Sequence, residues 1–180
     1  MEKTLEQYDL VLNSCRALFV KKTLDYGTSW RIFRPSSLTD QLFIKAKRLR
    51  TIQELGQQKV ADKPEDEFVG LVNYSLMALI QLQMSAETDL ELSAERANAL
   101  YDEQATKVRE LMLAKNHDYG EAWRDMRVSS LTDLILAKLL RIKQIEDNDG
   151  RVSVSEGVEG NYADIVNYSI FALILVNYKL

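Results

Sequence analysis

Asp118-Tyr-Gly-Glu-Ala-Trp-Arg-Asp-Met-Arg-Val-Ser-Ser-Leu-Thr-Asp133 has a counterpart earlier in the chain, Asp25-Tyr-Gly-Thr-Ser-Trp-Arg-Ile-Phe-Arg-Pro-Ser-Ser-Leu-Thr-Asp40. The separation is 93 residues at both ends of the stretch (118 − 25 and 133 − 40). A repeat at constant separation indicates that one structural unit occurs twice. The sequence therefore predicts two repeats, about residues 1–84 and 93–180, joined by an acidic linker at residues 85–92.

The segments around both stretches have a helical pattern. Leu5, Tyr8, Leu12 and Cys15, for example, recur at three- and four-residue steps, which places them on one helix face. No segment alternates apolar and polar residues long enough to indicate a strand. Each half is therefore predicted to contain three helices, with the repeated stretch connecting the first helix to the second.

Ser-Leu-Thr-Asp, at residues 37–40 and 130–133, has the form of a capping box and is predicted to start the second helix. In the second half, the first helix is predicted to end near residues 115–117, ahead of Gly120.

Three amphipathic helices shield one another poorly, whereas two such units packed about a pseudo-twofold axis can share one core. We therefore expect an all-α helical bundle that forms a single compact domain over residues 1–180. The fused repeat would imitate a homodimer within one chain. A monomer with this pseudo-dimeric repeat and a true homodimer are both compatible with the pattern.

Composition excludes several classes of partner. The 23 basic and 27 acidic residues give a net charge of −4, so no broad basic surface for nucleic acid is expected. The longest apolar run, residues 165–176, is too short to span a membrane. With one cysteine, Cys15, and no apolar leader, the chain is predicted to be cytoplasmic. A small phosphorylated ligand needs only a few converging cations.

Apolar residues differ freely between the two halves, but several polar and special residues do not. This retention indicates that these groups contact one another or a ligand. The retained pairs are Lys22 and Lys115, Asp25 and Asp118, Tyr26 and Tyr119, Gly27 and Gly120, Trp30 and Trp123, Arg31 and Arg124, Arg34 and Arg127, Asp40 and Asp133, Lys45 and Lys138, and Arg48 and Arg141.

Cations beside an aromatic loop suit a phosphate with a stacked base. Tyr119 or Trp123 would stack on the base, and Arg124, Lys138 and Arg141 would hold phosphate. The full set of predicted nucleotide-binding residues is Tyr119, Trp123, Arg124, Arg127, Asp133, Lys138, Arg141 and Tyr168. In the alternative interpretation these groups form a structural network, with Asp133 as an N3 helix cap and the arginines fastening loop to helix.

Carboxylates near the last helix suggest a magnesium site. Glu156 and Glu159 are three residues apart, and Asp164 lies about one turn further on. Magnesium takes a few carboxylate oxygens together with water and substrate phosphates. Gly70 stands where a first-half counterpart of Asp164 would fall, so two equivalent sites are not expected. Solvated acidic residues at a helix N-terminus are the alternative interpretation.

The pattern Lys-x-x-Asp-Tyr-Gly-x-x-Trp-Arg at residues 115–124, followed by Ser-Leu-Thr-Asp, Lys138, Arg141 and Asp164-Ile-Val-Asn-Tyr, resembles the nucleotide modification associated domain 1 family. The resemblance covers most of each half. It implies a helical fold and a context of modified-nucleotide processing, without a reaction or a catalytic residue.

A fainter similarity is to the all-α nucleoside triphosphate pyrophosphatases of the MazG and dimeric dUTPase type, in which carboxylates on two helices bind magnesium and a nucleotide. Glu159 and Asp164 are similar to the second part of that pattern, whereas Asp133, Lys138 and Arg141 replace its first cluster of glutamates.

Two functions follow from these observations. The first is a nucleotide-binding protein of nucleotide modification or processing, in one form a magnesium-dependent pyrophosphohydrolase that directs water onto a phosphoanhydride. The second is a non-catalytic helical binding or assembly module whose repeated polar residues are structural.

Overall fold

A computed structural model describes residues 1–151 and 157–178, and this part of the chain forms six α-helices and no strand. In the first half, α1 spans Glu2–Tyr26, α2 spans Pro35–Leu55 and α3 spans Pro64–Gln83. In the second half, α4 spans Ala94–Tyr119, α5 spans Val128–Asp147 and α6 spans Val158–Asn177. The predictions of an all-α bundle and of three helices in each half are confirmed.

Each repeated stretch contains a glycine turn followed by a short 3₁₀-helix, Ser29–Ile32 or Ala122–Asp125. Gly27 and Gly120 have φ angles of 69° and 61°, positive values that glycine adopts at little cost. The turn brings Trp30 and Trp123 back into the core, where they are 5% and 6% exposed. The shared Tyr-Gly-x-x-Trp sequence therefore encodes the return of the chain to the core.

The second helix of each half begins before the Ser-Leu-Thr-Asp signal that was expected to start it. Helix α2 begins at Pro35 and α5 at Val128, so Asp40 and Asp133 lie in the second turn. Proline suits the first position of α2 because its φ is already helical and its missing N–H would be unpaired there. The interpretation of Asp133 as an N3 cap was therefore wrong.

Asp40 and Asp133 instead pair across the contact between α2 and α5. Arg50 Nη1 lies 2.7 Å from Asp133 Oδ1, and Lys143 Nζ lies 3.1 Å from Asp40 Oδ1. Exchanging the halves converts one pair into the other, as a pseudo-twofold axis requires. Exposed ion pairs of this kind add little stability, but they give a physical reason for an aspartate at the same place in both halves.

Two buried tyrosines cross between the halves in the same reciprocal way. The Tyr8 hydroxyl donates to Asn167 Oδ1 at 2.7 Å, and the Tyr101 hydroxyl donates to Asn73 Oδ1 at 2.8 Å. Each asparagine amide also donates to a main-chain carbonyl on the first helix of its own half. These bonds satisfy polar groups that would otherwise be buried at a cost, and they fix how the halves are aligned.

Helices α3 and α6 form the centre of the bundle and pack most extensively against each other. Almost every residue from Leu71 to Ile80 and from Asn161 to Ile174 is buried. These helices are apolar because they are surrounded by protein. Within the described residues, no helix combines the length and apolar character needed to cross a membrane.

The segment at residues 85–92 is fastened to the loop of the first half. Thr28 Oγ1 donates to the Leu90 carbonyl at 2.7 Å and accepts from the Leu92 amide at 2.9 Å. Arg31 is 7% exposed and donates to two further carbonyls of the segment. The connection between the halves is thus held by hydrogen bonds to the first-half loop, while residues 85–91 remain exposed.

Candidate functional site

A cavity of about 570 Å³ lies in the second half, between α4, α5, α6 and the 3₁₀ turn. Its volume falls within the usual range for small-molecule sites. Its walls combine apolar, aromatic, amide and charged side chains. The polar and aromatic residues that line it are Lys115, Asn116, Tyr119, Trp123, Lys138, Arg141, Asn161, Asp164, Asn167, Tyr168 and Phe171.

Helical spacing places these residues on the cavity walls. On α4, Tyr119 follows Lys115 by four residues and Asn116 by three. On α5, Arg141 follows Lys138 by three residues. Residues at three- and four-residue steps share a helix face. Each helix therefore turns a polar strip toward one space within an otherwise apolar bundle.

Asp164 is the buried charge at the centre of the site. Its side chain is 4% exposed, and its two oxygens lie 2.6 Å from Lys115 Nζ and 2.8 Å from Lys138 Nζ. A buried carboxylate is tolerated only when it is paired, and two ammonium groups provide that pairing. Because an ammonium group has three N–H donors, one bond to Asp164 does not exhaust the capacity of Lys138. Asp164 thus positions two cations at the cavity wall.

Trp123 is a wall of the cavity, and its ring has two close neighbours. Its ring stacks on Phe171 with centroids 4.2 Å apart and an interplanar angle of 2°. The Arg124 guanidinium lies over the same ring, 4.5 Å from its centroid. A base that stacks on Trp123 would therefore compete with Phe171 or Arg124 for the ring. Tyr119, which is 74% exposed, and the half-buried Tyr168 are the remaining aromatic candidates.

Arg124, a predicted phosphate ligand, does not line the cavity. Its guanidinium donates to Thr4 Oγ1 and to Gln7 Oε1, at 2.9 Å for the latter, and pairs with Glu121 at 3.8 Å. A hydrogen bond from Thr4 is the main cause that lowers the pKa of Glu121. These contacts fasten the turn of the second half to α1 of the first half.

Two further predicted nucleotide ligands also lie outside the cavity. Arg127 is exposed immediately before α5, and Asp133 is exposed and bound to Arg50. Of the predicted set, the structure brings together Tyr119, Trp123, Lys138, Arg141 and Tyr168 at the cavity walls.

The described carboxylates do not fit a magnesium site. Glu159 lines a separate cavity of about 390 Å³, and both oxygens of Asp164 already contact lysines. Glu156 lies outside the described residues. Among the residues that are described, no group of three histidine, cysteine or acidic side chains could hold a metal ion. The magnesium prediction, which includes Glu156, stays a prediction.

Sequence reasoning did not assign Lys115 or Asn116 to the ligand site. The helix was expected to end near residues 115–117, whereas α4 continues to Tyr119. Lys115 and Asn116 therefore lie within the helix, and both line the cavity. Lys115 could have been found from the repeat, because Lys22 occupies the same position in the first half. Asn116 could not, because the first half has Thr23 at that position.

The equivalent region of the first half is arranged differently. Glu67 pairs with Arg48 and, at 3.6 Å, with Lys45 Nζ. Lys45 Nζ also lies 5.2 Å from the centroid of the Tyr74 ring. A Cβ atom added to Gly70, the counterpart of Asp164, would lie 2.9 Å from Lys45 Cδ. The lysine side chain therefore fills the space that a carboxylate takes in the second half.

The sequence profile of one family, nucleotide modification associated domain 1, matches the chain twice, at residues 22–82 and 115–176. The chain belongs to this family. The two matches to nucleotide modification associated domain 1 coincide with the two structural halves and include the loop, second helix and third helix of each. Neither a curated protein nor a solved structure matches the chain. The similarity to MazG and dimeric dUTPase-type enzymes therefore gains no support.

Proposed function

We propose that the cavity of the second half binds a nucleotide, with phosphate at Lys138 and Arg141 and the base near Tyr119 and Tyr168. The observation that carries the proposal is the meeting of cations and aromatic side chains in one cavity of suitable volume. The family adds a context of nucleotide modification to this chemistry.

Each group supplies a different part of the binding energy. A guanidinium such as that of Arg141 matches two phosphate oxygens at once, whereas the ammonium of Lys138 acts as a point charge. Stacking of a base on an aromatic side chain typically contributes about 1–3 kcal/mol. Asp164 holds the ammonium of Lys138 in place before the ligand arrives. Preorganisation of this kind reduces the entropy lost on binding.

The proposal is for binding, without an assigned reaction. Hydrolysis of a nucleoside triphosphate would require magnesium to neutralise the developing charge. Since the described carboxylates do not fit that ion, pyrophosphohydrolase activity is left as an outcome that the experiment distinguishes. Cytoplasmic location also belongs to the proposal, because nucleotide pools are found there.

The test is a thermal-shift screen followed by calorimetric titration. Nucleoside mono-, di- and triphosphates, including modified deoxynucleotides, are added with magnesium or with a chelator. Binding to the folded state should raise the melting temperature. Lys138→Met should weaken binding about tenfold or more, because it removes a charge-assisted phosphate contact. Lys45→Met removes the matched lysine of the first half and should leave affinity unchanged.

The outcomes separate the hypotheses. A shift that needs both nucleotide and magnesium, followed by pyrophosphate release, would favour the hydrolase. If no nucleotide raises the melting temperature at millimolar concentration, the binding proposal is rejected. In that case the structural alternative, a binding or assembly module, is favoured by the internal pairing of Asp164 with two lysines.

A further inference from the structure

We infer that Asn116 reads the hydrogen-bonding edge of the base, so that the ligand is a nucleotide whose base presents a neighbouring donor and acceptor. The inference rests on the proposed function and deepens it, because it names the part of the ligand that a cation-lined cavity alone does not specify. It also separates nucleotides from other phosphorylated small molecules.

Asn116 is buried but poorly partnered. It is 5% exposed and lines the cavity from α4. Among the described residues, its only side-chain hydrogen bond runs 3.1 Å from Nδ2 to Met112 Sδ. A thioether is a weak acceptor, whereas buried amides are normally well bonded. Exchanging the amide oxygen and nitrogen does not change this conclusion, because the oxygen would then face a thioether, which has no hydrogen to donate.

Other polar side chains at comparable positions have stronger partners. Asn167 also lines the cavity, but it accepts from Tyr8 and donates to the Val108 carbonyl. In the first half, Thr23 stands in place of Asn116 and donates to the Phe19 carbonyl one turn earlier, at 2.9 Å. At this position of the first half, the side chain therefore finds its hydrogen-bond partner within its own helix. The second half has Asn116 there, whose amide has unused hydrogen-bonding capacity.

A carboxamide suits a base edge better than it suits a phosphate. It presents one carbonyl acceptor beside N–H donors, and asparagine forms bidentate pairs with adenine in this way. Enzymes and binding proteins that hold an unstacked base also read such edges with polar side chains. Tyr119 lies three residues after Asn116 on the same helix face. A base stacked on that tyrosine would therefore have its edge near the amide.

The experiment compares base discrimination in three proteins. Calorimetric titration measures the Kd of the wild-type chain, Asn116→Thr and Asn116→Asp for mononucleotides of each base, ribose 5-phosphate and inorganic phosphate. The wild type should prefer one base about tenfold or more, the lower end of what a bidentate contact supplies. Asn116→Thr should remove this preference and leave ribose 5-phosphate binding unchanged. Asn116→Asp should shift the preference toward bases that present donors, because a carboxylate only accepts.

Three results would overturn the inference while the binding proposal stands. Asn116→Thr could retain the wild-type base preference, Asn116→Asp could do the same, or ribose 5-phosphate could bind as tightly as the nucleotides. Failure of every nucleotide to bind the wild type would instead reject the proposed function itself. Thr23→Asn in the first half is the matched control and should leave the base preference unchanged. Circular dichroism and melting temperature establish that each variant is folded.

Discussion

In each half a carboxylate on the third helix pairs with two cations, but the two carboxylates lie one helical turn apart when the halves are compared. In the first half, Glu67 in the first turn of α3 pairs with Lys45 and Arg48. In the second half, Asp164 lies one turn further along α6 and pairs with two lysines, Lys115 and Lys138. The first arrangement draws Lys45 across the space beside Gly70, whereas the second leaves a cavity.

This difference shows that retained cations do not by themselves make a retained site. The lysine and arginine of the second helix are present in both halves, but the position of the carboxylate decides where the lysine side chain lies. A buried charge must be paired, so the ammonium group follows the carboxylate. One duplicated unit can therefore close its cavity and the other keep it open.

The largest expected effect is on the number of binding sites, and it comes from replacing two residues of the first half with their second-half counterparts. Glu67→Asn together with Gly70→Asp places the first-half carboxylate where Asp164 stands in the second half. Lys45 should swing toward the new carboxylate, because the atoms that crowd Gly70 belong to its flexible side chain. The number of nucleotides bound per chain, measured by calorimetric titration, should rise from one toward two. A folded double variant that still binds one would show that the cavity depends on other differences between the halves.

Removal of the two crossing hydroxyl groups should have a smaller effect. Tyr8→Phe and Tyr101→Phe each leave a buried asparagine oxygen without its donor, and each should lower the free energy of unfolding by about 1–3 kcal/mol. Only Tyr8→Phe should also weaken nucleotide binding, because Asn167 lines the cavity and Asn73 belongs to the first half. Urea unfolding and titration measure the two effects. Equal loss of affinity in both variants would contradict the assignment of the site to one half.

Much of the fold followed from the sequence because repetition and helical periodicity are local signals. The predicted helix ends differ from those in the structure. Pro35 begins α2 earlier than the Ser-Leu-Thr-Asp pattern suggested, and α4 continues to Tyr119, beyond the expected end at residues 115–117. The first difference arises because Pro35 is already suited to the first helical position, so the capping-box residues lie within the helix. The second arises because α4 continues until the left-handed Gly120 closes it.

The site was only partly predictable, for a reason that the twofold arrangement makes clear. Residues retained in both halves include some that line the cavity and some that form contacts between the halves, and the sequence does not distinguish the two kinds. Lys138 and Arg141 line the cavity, whereas Asp133 and Arg124 contact the other half. Asn116 could not be found by looking for retained residues, because the first half has Thr23 at the equivalent position.

The smallest expected effect concerns the turn, where Glu121 replaces Thr28. Glu121 accepts a hydrogen bond from Thr4, and this bond holds the pKa of its carboxyl below the ordinary value of 4.5. Because the folded-state pKa is lowered, the carboxylate stabilises the fold above about pH 4.5, and this contribution is lost as the pH falls through the folded-state pKa. Glu121→Gln should therefore destabilise the protein slightly at about pH 7, and the difference from wild type should shrink toward about pH 3.

Urea unfolding at a series of pH values measures this difference. Thr28→Val is the matched control, since it removes the hydrogen bonds to the Leu90 carbonyl and the Leu92 amide without changing a titrating group. Its effect should be the same at every pH. The effect of Glu121→Gln should be small because the carboxyl is 22% exposed and water screens its charge. A pH-independent effect of Glu121→Gln would mean that the residue acts through packing of the turn, as Thr28 does through its hydroxyl.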